Sequence, residues 1–262
     1  MNAAPGMAAA LAALVLAIGA PGAAAADLSV DQVRAALRSA TASMPANFAG
    51  MDLSDLDLSG LDFRRANLRG ANLFGSKLVQ ADFRDASLEG ANLNGAWLMG
   101  TDFTGAKLDR ASLLSVVVLG GEVRKMPIFK GARMSGVRMI ADLPRADLSG
   151  ADLSGAMVGV NIKNQGMGQM RTDLSGANLA GANLAGADFN RSLMPFCDLK
   201  GSNLRGANFF RAKLGGADLT GADVSGADFT EADLAGAIFR DVKGLSEARG
   251  LDRAENVDKI VR

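Results

Sequence analysis

A period of five constrains this chain more than any other feature. From Thr172 it reads Thr-Asp-Leu-Ser-Gly, Ala-Asn-Leu-Ala-Gly, Ala-Asn-Leu-Ala-Gly, Ala-Asp-Phe, ending at Phe189. Every fifth residue is Leu or Phe, usually with Ala two places before it and Asp or Asn between. Five matches neither the 3.6-residue turn of a helix nor the two-residue alternation of a long strand. A short repeat held in one register points instead to a solenoid in which each unit forms one wall.

The aromatic positions set the number of walls. Phe63, Phe83 and Phe103 occupy repeat centres in the first half, and Phe189, Phe209 and Phe229 do so in the second. Both series step by 20 residues, or four pentapeptides. A large ring stacks best on another directly above it, so twenty residues make one turn of a four-walled coil, with backbones about 4.8 Å apart. The centre and the Ala two before it face inward, and each buried centre contributes about 1.5–3 kcal/mol. Gly or Ser at the fifth position suits the corners.

With its motif Ala-(Asp/Asn)-Leu-x-x, the chain resembles the pentapeptide-repeat family. The resemblance implies an all-β solenoid, a right-handed quadrilateral β-helix, here of about nine coils. It also brings one functional precedent: some members resemble duplex DNA in shape and charge and bind DNA gyrase.

Residues 1–26 read as a secretory signal. Ala8 to Ala20 is an apolar run too short to span a membrane, and Ala24-Ala25-Ala26 offers a cleavage site before Asp27, although the leader has no Lys or Arg. The expected address is the periplasm or the exterior of a bacterial cell. Residues 27–50 hold a capping helix and linker. The helix is expected over 29–43, opened by a capping box of Ser29 and Gln32 and closed by Pro45. The coil follows over 51–243, with an irregular middle at 116–171. Residues 244–262 form a helical C-terminal cap, because Leu245, Ala248, Leu251, Ala254 and Val257 follow an approximately helical spacing.

The repeat changes phase in the middle. Centres fall at numbers ending in 3 or 8 from Leu53 to Ile128, and in 4 or 9 from Leu174 to Phe239. Phe103 and Phe189 are 86 residues apart, four coils plus six. The spacing therefore predicts a net excess near six residues outside the wall, within 129–142 or 159–171, with both ring ladders on one face. One extra corner residue, rotating the second ladder by one wall, is the competing account.

Several activities lack the residues they need. The chain has no His, no Tyr and a single Cys, and no Gly-rich phosphate loop, so no catalytic constellation or cofactor site is evident. Cys197 sits in an Ala slot and reads as a buried small apolar residue. Asp62, Asp82 and Asp102 form a column that could hold Ca²⁺, but that slot favours Asp or Asn for local backbone bonding, and no metal site is expected. With 28 basic and 28 acidic side chains, the chain lacks the acidic surface of a DNA mimic. No basic run is interleaved with aromatics, so no nucleic-acid partner is expected.

What remains is protein contact. Residues 116–171 hold Glu122, Asp142, Asp147 and Asp152 against Arg124, Lys125, Lys130, Arg133, Arg138, Arg145, Lys163 and Arg171. Met126, Met134, Met139, Met157, Met167 and Met170 lie in the same stretch, either as an adaptable contact surface or as filling for a deformed core. Val79, Met99 and Leu119 each follow a centre by one residue at one-coil steps, and Trp97 and Val117 precede centres on the same wall. These five define one exterior apolar patch. It is either covered by residues 120–142 or open to a partner, of which a second copy is the simplest. The expected function is a non-catalytic envelope scaffold that binds protein through this patch, the basic middle, or both. The alternative is a cytoplasmic regulator of DNA gyrase or another topoisomerase.

Overall fold

The structure, a computed structural model, describes residues 26–118, 125–159 and 171–262. Each pentapeptide makes one wall and one corner. Leu58 N–H donates to the Lys77 carbonyl (2.9 Å) and Lys77 N–H to that of Leu56 (2.8 Å), tying successive coils. At the corner, Leu61 N–H donates back to Leu58 O (3.3 Å), and Gly60 between them has φ +67°. That third position of a type II turn requires left-handed backbone, which explains the recurring Gly. With two of five residues spent on the corner, a wall pairs through one residue. The solenoid is therefore built mostly of single parallel bridges such as Asp57↔Lys77 and Lys77↔Trp97 rather than long strands.

Four columns of bridges run the length of the coil. The first wall passes through Asn47, Asn67 and Ser87, and the second through Asp52, Asn72 and Asn92. The third passes through Asp57, Lys77 and Trp97, and the fourth through Asp62, Asp82 and Asp102. The first wall thus begins at Asn47, ahead of the expected start at Met51. Inside, the centres and the Ala two before them are almost fully buried. Side-chain amides reinforce the stacking: Asn92 Nδ2 donates to Asn72 Oδ1 (2.9 Å), and Asn72 Nδ2 to Asp52 Oδ1 (3.0 Å).

The ring ladders stack as a twenty-residue coil requires. Phe63 and Phe83 lie 4.6 Å apart between centroids, and Phe83 and Phe103 lie 5.2 Å apart. Phe189, Phe209 and Phe229 follow at 5.6 and 5.3 Å. The ladder's next rung is Phe129, 5.1 Å from Phe103. Ile128, expected as a centre, is instead 37% exposed on the outer face, where it pairs with Asp102.

The relation between the two ladders corrects the expected one. Asp102↔Ile128 spans 26 residues, Ile128↔Asp147 spans 19, and Asp147↔Asn178 spans 31. Excesses of six and eleven and a deficit of one leave a net sixteen, not six. Subtracted from 86, this is three and a half coils, so Phe189 stands on the second wall, opposite the Phe103 column on the fourth. Neither the shared face nor the one-wall rotation holds.

The irregularities have defined places. Gly100 N–H donates to Lys125 O (2.7 Å), so Lys125 occupies the slot directly after the centre Val118. The six residues 119–124 between them lie outside the described residues. Thr172 Oγ1 donates to Val158 O (2.8 Å), bringing together the two walls that residues 160–170, also outside the described residues, separate in sequence. The lost residue lies where β1 (Ser112–Val116) pairs in parallel with β2 (Arg138–Ala141). Register passes from Leu114↔Ile140 to Val116↔Ala141, so β1 uses five residues where β2 uses four.

The ends are closed differently. Helix α1 (Val30–Ser39) carries both bonds of its capping box: Gln32 N–H to Ser29 Oγ (3.3 Å) and Ser29 N–H to Gln32 Oε1 (2.7 Å). It buries Val33, with Ala36, Leu37 and Ala40 packed on the core. It ends before the expected 43 because Ala40 is extended and Met44 N–H turns back to Thr41 Oγ1 (3.1 Å). Ahead of it, Asp27 Oδ2 accepts from Asp52 N–H (2.6 Å). The expected leader, apart from Ala26, lies outside the described residues.

The C-terminal cap is a coil of lengthened walls, not one α-helix. Three 3₁₀ turns, Leu245–Glu247, Leu251–Arg253 and Val257–Lys259, each follow a left-handed residue, namely Gly244, Gly250 and Asn256. Six residues now separate successive bridging positions, so the column partners drift to Asp228↔Arg249 and Asp233↔Glu255. A six-residue period with an apolar residue every third place is what makes this segment look helical in sequence.

Candidate functional site

The third wall gathers part of the expected patch. Trp97 is 38% exposed, with Val79 and Val117 half-buried around it, while Met99 is buried at 3% exposure. Lys77 Nζ lies 5.9 Å from the Trp97 ring centroid and 3.9 Å from Asp57, so a cation bridges the aromatic and the acid. Leu119 and Arg124 lie outside the described residues. The slot one coil beyond Met99, assigned to Leu119 by a strict twenty-residue step, is held by exposed Lys125.

The basic middle does not converge on this surface. Lys130 follows the fourth-wall centre Phe129, Arg133 stands on the first wall, and Arg138 stands on the second. Arg133 is also engaged, at 2.8 Å from Asp109. Met134 and Met139 fill fully buried centre positions, Met126 packs on the core, and Met157 is half-exposed. Of the basic site residues described, Lys125 alone stays beside the apolar patch.

The acidic column on the fourth wall has a local purpose. Asp62, Asp82 and Asp102 each accept the backbone N–H two residues on, at 3.0, 3.1 and 2.8 Å. Arg64 lies 2.5 Å from Asp62 and 3.6 Å from Asp82, and Arg84 repeats the arrangement with Asp82 and Asp102. The Arg64 guanidinium holds the Asp62 carboxyl below the usual carboxylate range. Interleaved guanidiniums already supply the positive charge that a cation would bring. Cys197 is buried, its Sγ 2.9 Å from Leu174 O, and burial pushes its thiol up to about 12. At neutral pH it is not a thiolate nucleophile.

A second surface escaped the sequence reading. Arg191 and Arg211 occupy the corner slot between the second and third walls, directly before Ser192 and Ala212, and Arg171 directly precedes Thr172 one coil earlier. With Lys213, Glu231 and Glu255 they line an open groove of about 330 Å³. The Phe210 ring lies beside two of them, with guanidinium carbons at 5.9 Å (Arg191) and 4.9 Å (Arg211) from its centroid. The signal was available, because 171, 191 and 211 step by twenty residues into the regular run that begins at Thr172.

The repeat itself is matched by a family model. The family model for pentapeptide repeats matches in 8 copies, over residues 46–70, 66–105, 172–209 and 207–243, together half of the chain. A search of curated proteins gives no match. Similar solved structures include HetL, a pentapeptide repeat protein involved in heterocyst differentiation regulation from the cyanobacterium Nostoc. It is 29% identical over 90% of this chain and 100% of that one, with a TM-score of 0.37. Full-length QnrB1, a plasmid-mediated fluoroquinolone resistance protein, is 20% identical over 79% of this chain and 95% of its own, with a TM-score of 0.30. A pentapeptide repeat protein of the Arabidopsis thaliana thylakoid lumen is 32% identical over 43% of this chain and 68% of that one, with a TM-score of 0.21. The five-residue walls, the four bridge columns and the matched repeats place this chain in the pentapeptide repeat family.

Proposed function

We propose that this protein is a non-catalytic scaffold of the bacterial envelope that binds a partner protein through the third wall around Trp97. The observation that carries the reading is Trp97 itself. It is the chain's one Trp, and it stands 38% exposed on a flat wall between half-buried Val79 and Val117, with Lys77 over its ring. Aromatic residues of this kind anchor interfaces because they bury large area at small cost in side-chain freedom. A second copy of the chain is the simplest partner. The non-catalytic part rests on the absence of His and Tyr and on the buried, neutral Cys197.

Two measurements test the reading. Export predicts a mature chain beginning near Asp27 in the periplasmic fraction; intact chain in the cytoplasm would favour the topoisomerase regulator instead. Partner capture from envelope extract and sedimentation of the purified chain then address the surface. Trp97→Ala should weaken association about tenfold or more while leaving thermal stability nearly unchanged. A monomer whose Trp97→Ala variant captures everything the wild type captures overturns the assignment.

A further inference from the structure

We propose that the corner between the second and third walls binds one tetrahedral oxyanion of the phosphate type, held between Arg171 and Arg191. The site lies apart from the Trp97 surface and does not depend on it. Its basis is a groove lined by Arg171, Arg191 and Arg211, two of which stand in the corner slot where this fold ordinarily places Gly. Arg191 and Arg211 have φ of +59° and +56°, a left-handed backbone that a long side chain occupies at a cost. Arg65, Arg110 and Arg145 occupy corners in the same conformation. Each of those is a lone Arg in its column, whereas 171, 191 and 211 follow one another on successive coils.

The charges in this groove are compensated at one end only. Arg211 Nε lies 2.6 Å from Glu231, and Lys213 lies 3.1 Å from Glu255 and 3.6 Å from Asp233. Among the described residues, no carboxylate comes within ion-pair distance of Arg171 or Arg191. Asp173, two residues from Arg171, accepts instead from the Ser175 N–H (2.7 Å) and hydroxyl (2.5 Å). Two uncompensated guanidiniums thus line one groove from adjacent coils, whose backbones are about 4.8 Å apart, and the Phe210 ring centroid lies 5.9 Å from the Arg191 guanidinium carbon.

The geometry selects among anions. A planar carboxylate brings two oxygens and one negative charge, so against two guanidiniums it leaves one positive charge uncompensated. A tetrahedral oxyanion has enough oxygens to accept from both rungs at once. Glu231 and Glu255 at the far end repel any further negative group, so the groove accommodates one phosphate rather than a continuing polyanion. Such a group could be free in solution or belong to a phospholipid headgroup.

Titration calorimetry of the full chain with inorganic phosphate at low ionic strength, with acetate as the planar probe, tests the site. Saturable one-to-one phosphate binding is expected, at least about tenfold tighter than acetate, with about a tenfold loss in either Arg171→Gln or Arg191→Gln. Gln is tolerated in a corner, as Gln80 at φ +56° shows. Arg110→Gln, at a corner flanked by Gly90 and Gly136 on neighbouring coils, should stay within about twofold of wild type. Without phosphate, Arg191→Gln should melt at or above the wild-type temperature because it removes one of the like charges lining the groove. Added phosphate should raise the wild-type melting temperature and leave that of Arg191→Gln unmoved. Retention on phosphatidylglycerol but not phosphatidylcholine vesicles, lost in Arg191→Gln, assigns the headgroup; phosphate binding without retention assigns the soluble ion. Absence of saturable phosphate binding, equal affinity for acetate, or unchanged binding in Arg191→Gln overturns the proposal.

Discussion

Phe83 offers the sharpest test of how the coil is held together. Its ring is fully buried between Phe63, at 4.6 Å and 1° from parallel, and Phe103, at 5.2 Å and 19°. The coils above and below cannot close on a vacancy, because their spacing is pinned by backbone bonds such as Phe83 N–H to Asp102 O (2.7 Å) and Asp102 N–H to Ala81 O (3.0 Å). Phe83→Ala should therefore cost about 4–5 kcal/mol, the upper part of the range for buried Phe truncations. Phe83→Leu is a milder change, since Leu148 and Leu179 fill the same column farther along. It loses two ring contacts of about 0.5–1.5 kcal/mol each, for a cost near 2 kcal/mol. Urea unfolding followed by circular dichroism and by Trp97 emission measures both variants, and coincident transitions license the comparison. An Ala variant costing less than about 2 kcal/mol, or a Leu variant as damaging as Ala, would refute a ladder of rigidly spaced rings.

Phe196 sits at a corner with φ +59° and is 73% exposed, over Gly216, where an added Cβ would come 2.5 Å from the ring. Phe196→Gly should stabilise the chain by about 1 kcal/mol by relieving left-handed strain, and Gly216→Ala should destabilise it; thermal melts of the two variants check both signs. Acid should weaken the fold, because Ser54 hydrogen bonds lower the Asp52 carboxyl and Ser225 hydrogen bonds lower that of Asp223. A depressed folded-state value gives stability that is present above the unfolded value of about 3.9 and lost as pH falls through the folded one, so melting temperature should drop below about pH 4. Asp142 has the opposite sign, raised by burial and by neighbouring Asp173, so Asp142→Asn should raise the melting temperature at neutral pH and lose that advantage in acid. Deleting residues 119–124 should leave a folded coil melting within a few degrees of wild type, since Lys125 already takes the slot after Val118; loss of the cooperative transition would contradict that register.

The architecture was legible because each unit repeats the same local solution. An inward Leu, an Asx side chain bonding two residues ahead and a left-handed corner leave a single way to stack, and equivalent Phe residues twenty apart then require four walls. Register through the middle was not legible, because counting by fives treats every residue as part of a wall. Ile128 keeps the count and Phe129 breaks it, yet Phe129 continues the ring ladder at 5.1 Å. An aromatic centre was the better guide, since an exposed ring there would forfeit both its burial and its stacking. The one-residue deficit at β1 and β2 had no such marker. Ser112–Val116 and Arg138–Ala141 are both apolar enough to read as ordinary walls, and only their pairing shows five residues matched to four.

The same cause explains why the surface was only half readable. Residues on one wall are neighbours in space only if every coil between them has twenty residues, so an exterior patch inherits each error of phase. Lys77, Trp97 and Val117 lie within the regular part and do share the third wall. Leu119 was added by extrapolating past Val118, where the coil takes up six more residues, and Lys125 holds the slot it was given. Arg133 and Arg138 were grouped by nearness in sequence, but five residues are one wall, so they face directions a quarter-turn apart. Arg171, Arg191 and Arg211 are far apart in sequence and line one groove because the coils joining Thr172, Ser192 and Ala212 are unbroken. In a solenoid of this kind, a candidate site is found by reading down columns of equal phase within one regular run, and a cluster of charges along the chain is distributed around the axis.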